Sequence, residues 1–335
     1  MRILFLTVTD AHFFPGTVAT VNSVRCFHPE AEVCVVHNHV HKSPLSAAQR
    51  AVFDAAGIRV VDASALARPG RKLAAWELKA YGAADLTEGC DVLAGIDSDC
   101  VLCGRIDDVL AAAKESGTFH GGRDGTIRYD ETYRPYGIEA LGQGPNMSTS
   151  LYVCATTAAN RRILQRWGEC CDRAIFGGGK IFPGHGDQGV LNAVVYAERG
   201  PDGVRLLENR LWSQHHCYWQ GRVTLRDARL FNEDIGSPQR SIHCGGGEKF
   251  WSLRHLEKLG EFPGLEPSYA WFLRHLWFGS VTIDPADLAP DHRHLIEALV
   301  RRRSVVESLG AAICGEKSED DPHIDTSAHR LTSFV

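Results

Sequence analysis

Apolar and polar positions divide the first third of the chain into two kinds of segment. Ile3–Thr9 and Glu32–His37 are nearly continuous runs of β-branched and other apolar residues, which is typical of strands buried on both faces. Helix patterns over 16–26 and 46–56 follow these runs, and residues 58–61 form a third apolar run. Strands separated by helices of about ten residues predict βαβ units on a parallel sheet, and therefore an α/β fold.

The alternation continues with one interruption. Residues 73–84 predict a helix and residues 91–96 a strand, whereas residues 121–146 are polar, rich in Gly, Arg and Tyr, and without a sustained period. We expect long loops over that stretch. The later predicted elements are a strand over 148–154, helices over 158–171 and 187–197 with a loop over 177–184 between them, short strands and turns over 205–243, and helices over 266–279 and 291–313.

Composition restricts the class of protein. The 335 residues carry a formal net charge of −5, so no nucleic-acid partner is expected. Hydrophobic residues make up 44% and charged residues 23%, which is the balance of a folded globular protein. No apolar stretch approaches the ~18 residues of a transmembrane segment, and the start, MRILFLTVTD, resembles a strand rather than a signal peptide. The 11 cysteines are odd in number, so we expect reduced thiols in a soluble cytoplasmic protein.

The pattern predicts one large domain followed by a C-terminal extension. We expect a domain over residues 1–251, a helical C-terminal extension over 252–314, and a disordered charged tail over 315–335. The extension carries an aromatic stripe formed by Trp271, Phe272, Trp277 and Phe278. Such a stripe is more often core or a subunit interface than an acceptor shelf or a peripheral membrane contact. The sequence leaves the oligomeric state open.

The first candidate for chemistry is Asp97-Ser98-Asp99, which follows the strand predicted over 91–96. On a strand, residues two apart point to the same face, so the two carboxylates would lie together. Their repulsion requires a cation or hydrogen-bond donors, and the carboxyl edge of an α/β sheet is where ligands bind. Taken alone, such a tripeptide is more often a solvated acidic strand end.

Two further segments carry polar residues of functional types. His243 precedes three glycines and Lys249, which suggests a metal ligand, a flexible turn and a cation for phosphate, or else a glycine-rich turn beside a surface lysine. Asp187 and Gln188 enter a predicted helix that continues to Asn192. Asp187 could equally cap that helix.

The order and separation of these segments resemble the retaining nucleotide-sugar glycosyltransferases of the GT-A fold. The resemblance is to the family that includes glycogenin and the bacterial lipopolysaccharide galactosyl- and glucosyltransferases (glycosyltransferase family 8-like), and it covers about residues 2–251. The segment Arg71-Lys72-Leu73-Ala-Ala-Trp76 is similar to the Lys-Leu-x-x-Trp that precedes the family's Asp-x-Asp. The end of the first strand, Thr7 to Asp10 with Phe13, resembles the segment that holds the nucleotide base.

The resemblance implies a GT-A fold (nucleotide-diphospho-sugar transferase, Rossmann-like) with a mixed sheet flanked by helices. It implies transfer of a hexose from a nucleotide sugar, a UDP-sugar above others, with retention of configuration. Asp97, Asp99 and His243 would bind a divalent metal, and this ligand set suits Mn²⁺ better than Mg²⁺, although Mg²⁺ stays possible. Asp187 and Gln188 would be the catalytic residues beside the sugar. The donor contacts that the family implies are Thr7, Val8, Thr9, Asp10, Phe13, Lys72, Asp97, Ser98, Asn146, Ser148, Gly246 and Lys249.

The sequence departs from the family's pattern and leaves alternatives open. The family commonly has Asn-Ser-Gly before the strand predicted at 148–154, so either Asn146 is displaced here or Ser148 replaces the Asn. A sugar-phosphate nucleotidylyltransferase is the alternative enzyme, although its Gly-rich signature does not follow the first strand. A catalytically silent nucleotide-sugar-binding or partner-binding module is the alternative from another class. The acceptor stays open among lipid-linked sugar, glycan, protein and small molecule.

Overall fold

The computed structural model describes residues 1–38, 43–63, 66, 75–139, 141–176, 186–212, 214–215, 223–245, 249–261 and 265–315. Its strands are β1 (Ile3–Thr9), β2 (Glu32–His37), β3 (Arg59–Asp62), β4 (Val92–Ile96), β5 (Cys100–Leu102), β6 (Phe119–Tyr129), β7 (Gly142–Ala155), β8 (Val204–Leu207), β9 (Gln214–His215), β10 (Val223–Arg226), β11 (Arg229–Asn232), β12 (Ser237–Pro238) and β13 (Ser241–His243). Its α-helices are α1 (Phe14–Phe27), α2 (Ala47–Ala55), α3 (Ala75–Asp85), α4 (Asp107–Ser116), α5 (Ala158–Phe176), α6 (Gly186–Arg199), α7 (Asn209–Trp212), α8 (Leu253–Glu261), α9 (Glu266–Trp277) and α10 (His294–Gly315).

The main sheet is mixed. Its seven strands run in the order β3-β2-β1-β4-β7-β6-β8. The βαβ half, β1 to β4, is parallel as the sequence predicts, whereas β7 is antiparallel to both of its neighbours. Two further sheets have three strands each, in the orders β5-β13-β9 and β10-β11-β12. The α/β fold class is confirmed.

The sheet is buried on both faces because helices cover both. Along β1, Ile3 and Phe5 join one core cluster, and Leu4, Leu6 and Val8 join the other. Successive side chains of a strand point to opposite faces, so a strand between two helical layers must be apolar at every position. This requirement explains the continuous apolar run that marks β1 in the sequence.

The prediction of loops over 121–146 is wrong at both ends of that stretch. β6 extends to Tyr129 and pairs antiparallel with β7, which begins at Gly142. The pairing register shifts twice, between Gly121 and Arg123 and again between Arg123 and Thr126, so the period of two that identifies a strand is broken. The glycines of this stretch also carry no apolar side chain that a sequence pattern could detect. At Gly121 the glycine is required, because a Cβ there would overlap the Met147 side chain of the paired strand.

The C-terminal helices pack on the same core as the sheet. Asn22 of α1 donates its side-chain amide to the carbonyls of His275 and Val281 over 2.8 and 2.9 Å, and accepts from Val281 N over 2.8 Å. Trp271 Nε1 donates to the carbonyl of Leu102 over 2.9 Å, and Trp271 and Phe272 are fully buried. This half of the aromatic stripe is therefore core.

Two predicted segments lie outside the described residues, namely the loop over 177–184 and the tail after Gly315. Among the helices that are described, none combines the length and the apolar character that crossing a membrane requires.

Candidate active site

The Asp97-Ser98-Asp99 turn lies at the carboxyl end of β4, where the chain passes directly into β5. Asp97 N donates to the carbonyl of Ser150 over 2.7 Å, and Cys100 N donates to the carbonyl of Asp97 over 2.9 Å. β13 pairs antiparallel with β5 so that His243 lies opposite Cys100. A short strand far along the chain thus brings the imidazole to the two carboxylates.

The first helix approaches this turn closely. A Cβ at Gly16, in the first turn of α1, would overlap both the Trp251 ring and the carbonyl oxygen of Ser98. One turn later, Thr20 donates its hydroxyl to the carbonyl of Cys100 over 2.8 Å. Only glycine therefore permits α1, the Asp-x-Asp turn and the tryptophan to pack at this distance.

Each of the two carboxylates binds a lysine with one oxygen and presents the other oxygen to His243. Asp97 Oδ1 accepts from Lys79 Nζ over 2.6 Å, and its Oδ2 lies 4.0 Å from His243 Nε2. Asp99 Oδ2 contacts Lys249 Nζ, and its Oδ1 lies 3.3 Å from His243 Nε2. Ligand atoms of Asp97, Asp99 and His243 all lie within 4.8 Å of one another.

Charged partners outweigh burial at Asp99, Lys79 and Lys249. Burial raises the pKa of the Asp99 carboxyl, but His243 and Lys249 outweigh it and hold that pKa below its usual range. Burial lowers the pKa of Lys79, but Asp97 and Asp187 outweigh it, so the pKa is raised. The pKa of Lys249 is raised in the same way, by Asp99 against burial. Charged partners thus hold two carboxylates and two ammonium groups together.

This donor set fits the metal that the family resemblance implies. The ligands are two carboxylate oxygens and one imidazole nitrogen, a mixture that suits Mn²⁺ better than Mg²⁺. Ligand atoms lie about 2.0–2.2 Å from a first-row divalent metal, so atoms 3.3 and 4.0 Å apart need only small side-chain rotations to share one. Asp97 is also 29% exposed, which leaves this face of the cluster open to a ligand.

Gln188, in the first turn of α6, is fixed against β6 and β7. Its Nε2 donates to Asp124 Oδ2 over 2.9 Å and to Asn146 Oδ1 over 3.1 Å. Its Oε1 accepts from Thr149 N over 3.2 Å. The amide therefore has one orientation, which three different residues specify.

Asn146 contacts Gln188 directly. Asn146 is fully buried, and its Nδ2 donates to the carbonyl of Asp124 over 2.7 Å. The hydroxyl of Ser148 bonds to that of Ser150 over 2.9 Å. That Asn146 and Ser148 contact the donor stays a prediction.

Asp187 lies beside the same lysine as the Asp-x-Asp turn. Its Oδ2 is 3.8 Å from Lys79 Nζ, and its carbonyl accepts from Trp167 Nε1 over 3.0 Å. Lys79 also donates to the carbonyl of Thr149 over 2.6 Å. Burial raises the pKa of Asp187, and Lys79 offsets part of that shift. Lys79 therefore connects Asp97 with Asp187 and β7.

The predicted base-binding segment lies at the end of β1. Thr7 and Val8 are buried within the strand, and Thr9 Oγ1 accepts from the hydroxyl of Thr17 over 2.6 Å. Asp10 Oδ1 accepts from the backbone N–H of Phe13 over 2.9 Å. These bonds fix the turn between β1 and α1.

Phe13 connects this turn to the acidic cluster. Lys249 Nζ lies 5.5 Å from the centre of the Phe13 ring, and the Phe13 and Trp251 ring centres are 5.4 Å apart. Because Lys249 also contacts Asp99, the aromatic ring and the Asp-x-Asp turn share one cation. The proposed base and metal positions are therefore neighbours.

Lys79 and Asp124 are site residues that sequence analysis missed. Lys79 follows the predicted Lys-Leu-x-x-Trp segment by several positions, in a helix whose other residues are mostly apolar. A lysine on that apolar surface was a signal, since lysine is almost never fully buried unless it is paired. Asp124 gave no such signal because it lies in the stretch expected to be loop. Lys72 and Gly246 lie outside the described residues, so their predicted contacts stay predictions.

Comparison with known proteins gives the fold its context. No protein-family model matches the chain, and no curated protein matches its sequence. The galactosyltransferase LgtC, in complex with donor and acceptor sugar analogues, is similar with a TM-score of 0.50 and 14% identity, over 84% of this chain and 97% of LgtC. The bifunctional glycosyltransferase WbbM in its apo form is similar with a TM-score of 0.53 and 14% identity, over 83% of this chain and 50% of WbbM. The chain has the fold of these glycosyltransferases.

Proposed function

We propose that this protein is a metal-dependent glycosyltransferase that moves a hexose from a nucleotide sugar to an acceptor with retention of anomeric configuration. The observation that carries the proposal is the convergence of Asp97, Asp99 and His243 between the buried Lys79 and the partly buried Lys249, at the carboxyl end of β4. A fold by itself does not imply an activity, so the proposal depends on this site. A UDP-sugar is the proposed donor, and Mn²⁺ the proposed metal.

The charges of the site suit a departing nucleoside diphosphate. When bound, the metal would neutralise charge that develops on the diphosphate. Lys249 is paired with Asp99. Its ammonium group would therefore lie beside the diphosphate that the metal binds. Phe13, beside Lys249, supplies an aromatic face for the base. Lys79 holds Asp97 in position with a 2.6 Å bond.

The sugar side of the site is built by Asp187, Gln188 and Asn146. Retention through a double displacement requires a carboxylate nucleophile beneath the anomeric carbon. Gln188 is an amide held by Asp124 and Asn146, and Asp187 is paired with Lys79. We therefore propose that these residues orient the sugar, and that the leaving phosphate accepts the proton of the acceptor on the same face.

The first test is the thermal unfolding midpoint, Tm, with UDP in the presence and absence of Mn²⁺. A ligand at about 100 times its Kd adds about 2.7 kcal/mol to the free energy of unfolding, which raises Tm by a few degrees. We expect a Mn²⁺-dependent rise in the wild type and none in Asp99→Asn. Asp107→Asn, at an exposed position on α4, is the matched control and should keep the rise.

A turnover assay separates an enzyme from a silent binder. With Mn²⁺ present, we expect hydrolysis or transfer of a UDP-hexose by the wild type and loss of it in Asp99→Asn. Binding of UDP without turnover of UDP-glucose or UDP-galactose would favour the nucleotide-sugar-binding module. No Tm rise with UDP or any other nucleoside diphosphate would refute the proposed function.

A further inference from the structure

A second group of metal-ligating side chains lies outside the proposed donor site. His12, in the turn between β1 and α1, comes together with Asp291 and His292, which precede α10. One ligand atom from each of the three lies within 4.8 Å of the other two. The ring centres of His12 and His292 are 5.6 Å apart, with the rings inclined at 43°. The cluster joins two segments that are far apart in sequence.

The buried member of this cluster has an unused ligand atom. His292 is only 3% exposed, and its Nε2 has no hydrogen-bond partner among the described residues. Asp291 Oδ2 lies 3.8 Å from that nitrogen, beyond hydrogen-bond distance. A buried polar atom without a partner costs free energy, so such an atom in a native protein indicates a ligand or solvent that completes it.

We propose that His12, Asp291 and His292 bind a divalent transition-metal cation of the Zn²⁺ class, at a site distinct from Asp97, Asp99 and His243. Imidazole nitrogen with one carboxylate oxygen is a set that zinc favours over calcium or magnesium. Three protein ligands leave the fourth tetrahedral position to water. Because His12 and Asp291 are exposed at the surface, the cation can enter from solvent.

Such a cation would link the turn after β1 to the segment that precedes α10. The turn also carries Phe13, which contacts Trp251 and Lys249. His12 itself lies with its ring centre 6.3 Å from that of Trp251. Metal at the second cluster would therefore stabilise the aromatic wall beside the proposed nucleotide position without contacting the donor.

The test is metal binding by the purified full-length protein, with Zn²⁺ for affinity and Co²⁺ as a spectroscopic probe. We expect the wild type to bind Zn²⁺, with a Tm rise that a chelator reverses. His12→Gln and Asp291→Asn should each weaken this binding by about tenfold or more. Both residues are exposed, so neither substitution should prevent folding, and Asp202→Asn, at another exposed acid, is the matched control.

The cobalt spectrum identifies the ligands. Nitrogen and oxygen ligands in a tetrahedral site give visible bands, whereas thiolate ligands add a near-ultraviolet charge-transfer band. Visible bands that His12→Gln and Asp291→Asn remove, and Asp202→Asn retains, support the proposal. A thiolate band, or Zn²⁺ affinity unchanged in both variants, would overturn it. Because the donor cluster Asp97, Asp99 and His243 can also bind these cations, the same titrations are made in the Asp99→Asn background. Binding that persists there and is lost with His12→Gln is independent of the proposed donor site.

Discussion

Two clusters of one histidine and two carboxylates in this molecule look alike in composition and differ in chemistry. In the donor cluster, His243 faces Asp97 and Asp99. In the other, which we call the helix-junction cluster, His28 faces Glu30 and Asp107 at 3.5 and 3.8 Å. Both histidines are buried, but the carboxylates of the helix-junction cluster are about half exposed, at 46% and 50%.

The cation in each cluster explains the difference. In the helix-junction cluster, Arg105 binds both oxygens of Asp107 over 2.6 and 3.1 Å and reaches Glu30 over 2.9 Å. His28 Nε2 accepts from the backbone N–H of Ile106, so the proton of the neutral ring lies on Nδ1 and faces the acids. Arg105 pairs with both acids of that cluster, which therefore serves as a structural junction. The donor cluster instead has lysines, which bind as point charges and leave one oxygen of each acid facing His243.

The largest contrast is expected from the two histidines. His243→Gln should remove a metal ligand and reduce UDP-hexose turnover on the order of 10³-fold, with weaker Mn²⁺ binding. His28→Leu should leave turnover and Mn²⁺ affinity unchanged and lower Tm, because the buried N–H of Ile106 loses its acceptor. Steady-state kinetics and thermal unfolding of both variants measure this. Equal losses of activity in the two variants would contradict the comparison.

The candidate site has a third carboxylate, Asp187, which has no counterpart in the helix-junction cluster. Asp187→Asn should reduce kcat about 100-fold, because the ion pair with Lys79 that positions the sugar side is lost. We expect no covalent glycosyl-enzyme when the wild type is incubated with donor and analysed by intact-protein mass spectrometry. An adduct mapped to Asp187 of the wild type, or rescue of Asp187→Ala by azide with inverted product, would instead identify Asp187 as a nucleophile.

The ammonium group of Lys249 and a bound Mn²⁺ should each be able to offset the charge of Asp99. Lys249→Met leaves the buried Asp99 carboxylate without its ammonium partner, which should cost about 3 kcal/mol of the free energy of unfolding. Mn²⁺ should recover part of this loss, since a divalent cation then lies beside Asp99. Denaturant unfolding with and without Mn²⁺ measures the recovery. Absence of any Mn²⁺ effect would show that Asp99 does not bind the metal.

Much of the fold could be predicted because burial on both faces produces a continuous apolar run. Strands β1 and β2 match the sequence expectation at both ends, and α9 matches it at its first residue. The first part of the β6–β7 pair was missed, because two register shifts and solvent-facing polar residues removed the period of two. No prediction covered β5 or α4. Periodicity identifies a strand only where the pairing is regular.

The candidate site was predictable where a motif is local and not where it depends on tertiary packing. Asp97 and Asp99 are two residues apart, so their common face followed from strand geometry. Lys79 was missed because only the packing of α3 against β4 and β7 makes it a partner of Asp97. Asp124 was missed because its strand was missed. The contact between Asn146 and Gln188 likewise depends on tertiary packing, since the two residues lie 42 positions apart.

The smallest expected effect belongs to the exposed acids of the helix-junction cluster. Asp107→Asn removes half of a bidentate pair with Arg105 that is 41% exposed, and solvent screening limits such pairs to about 0.2–1 kcal/mol. Denaturant unfolding should show a change within that range, and turnover should stay within about twofold of wild type. A large loss of activity would mean that a change in the helix-junction cluster alters the structure of the donor site. The two clusters could then no longer be treated as separate. A small loss of stability with full activity would support the view that Arg105, Glu30 and Asp107 pair to hold the fold together, and that their cluster takes no part in the donor site.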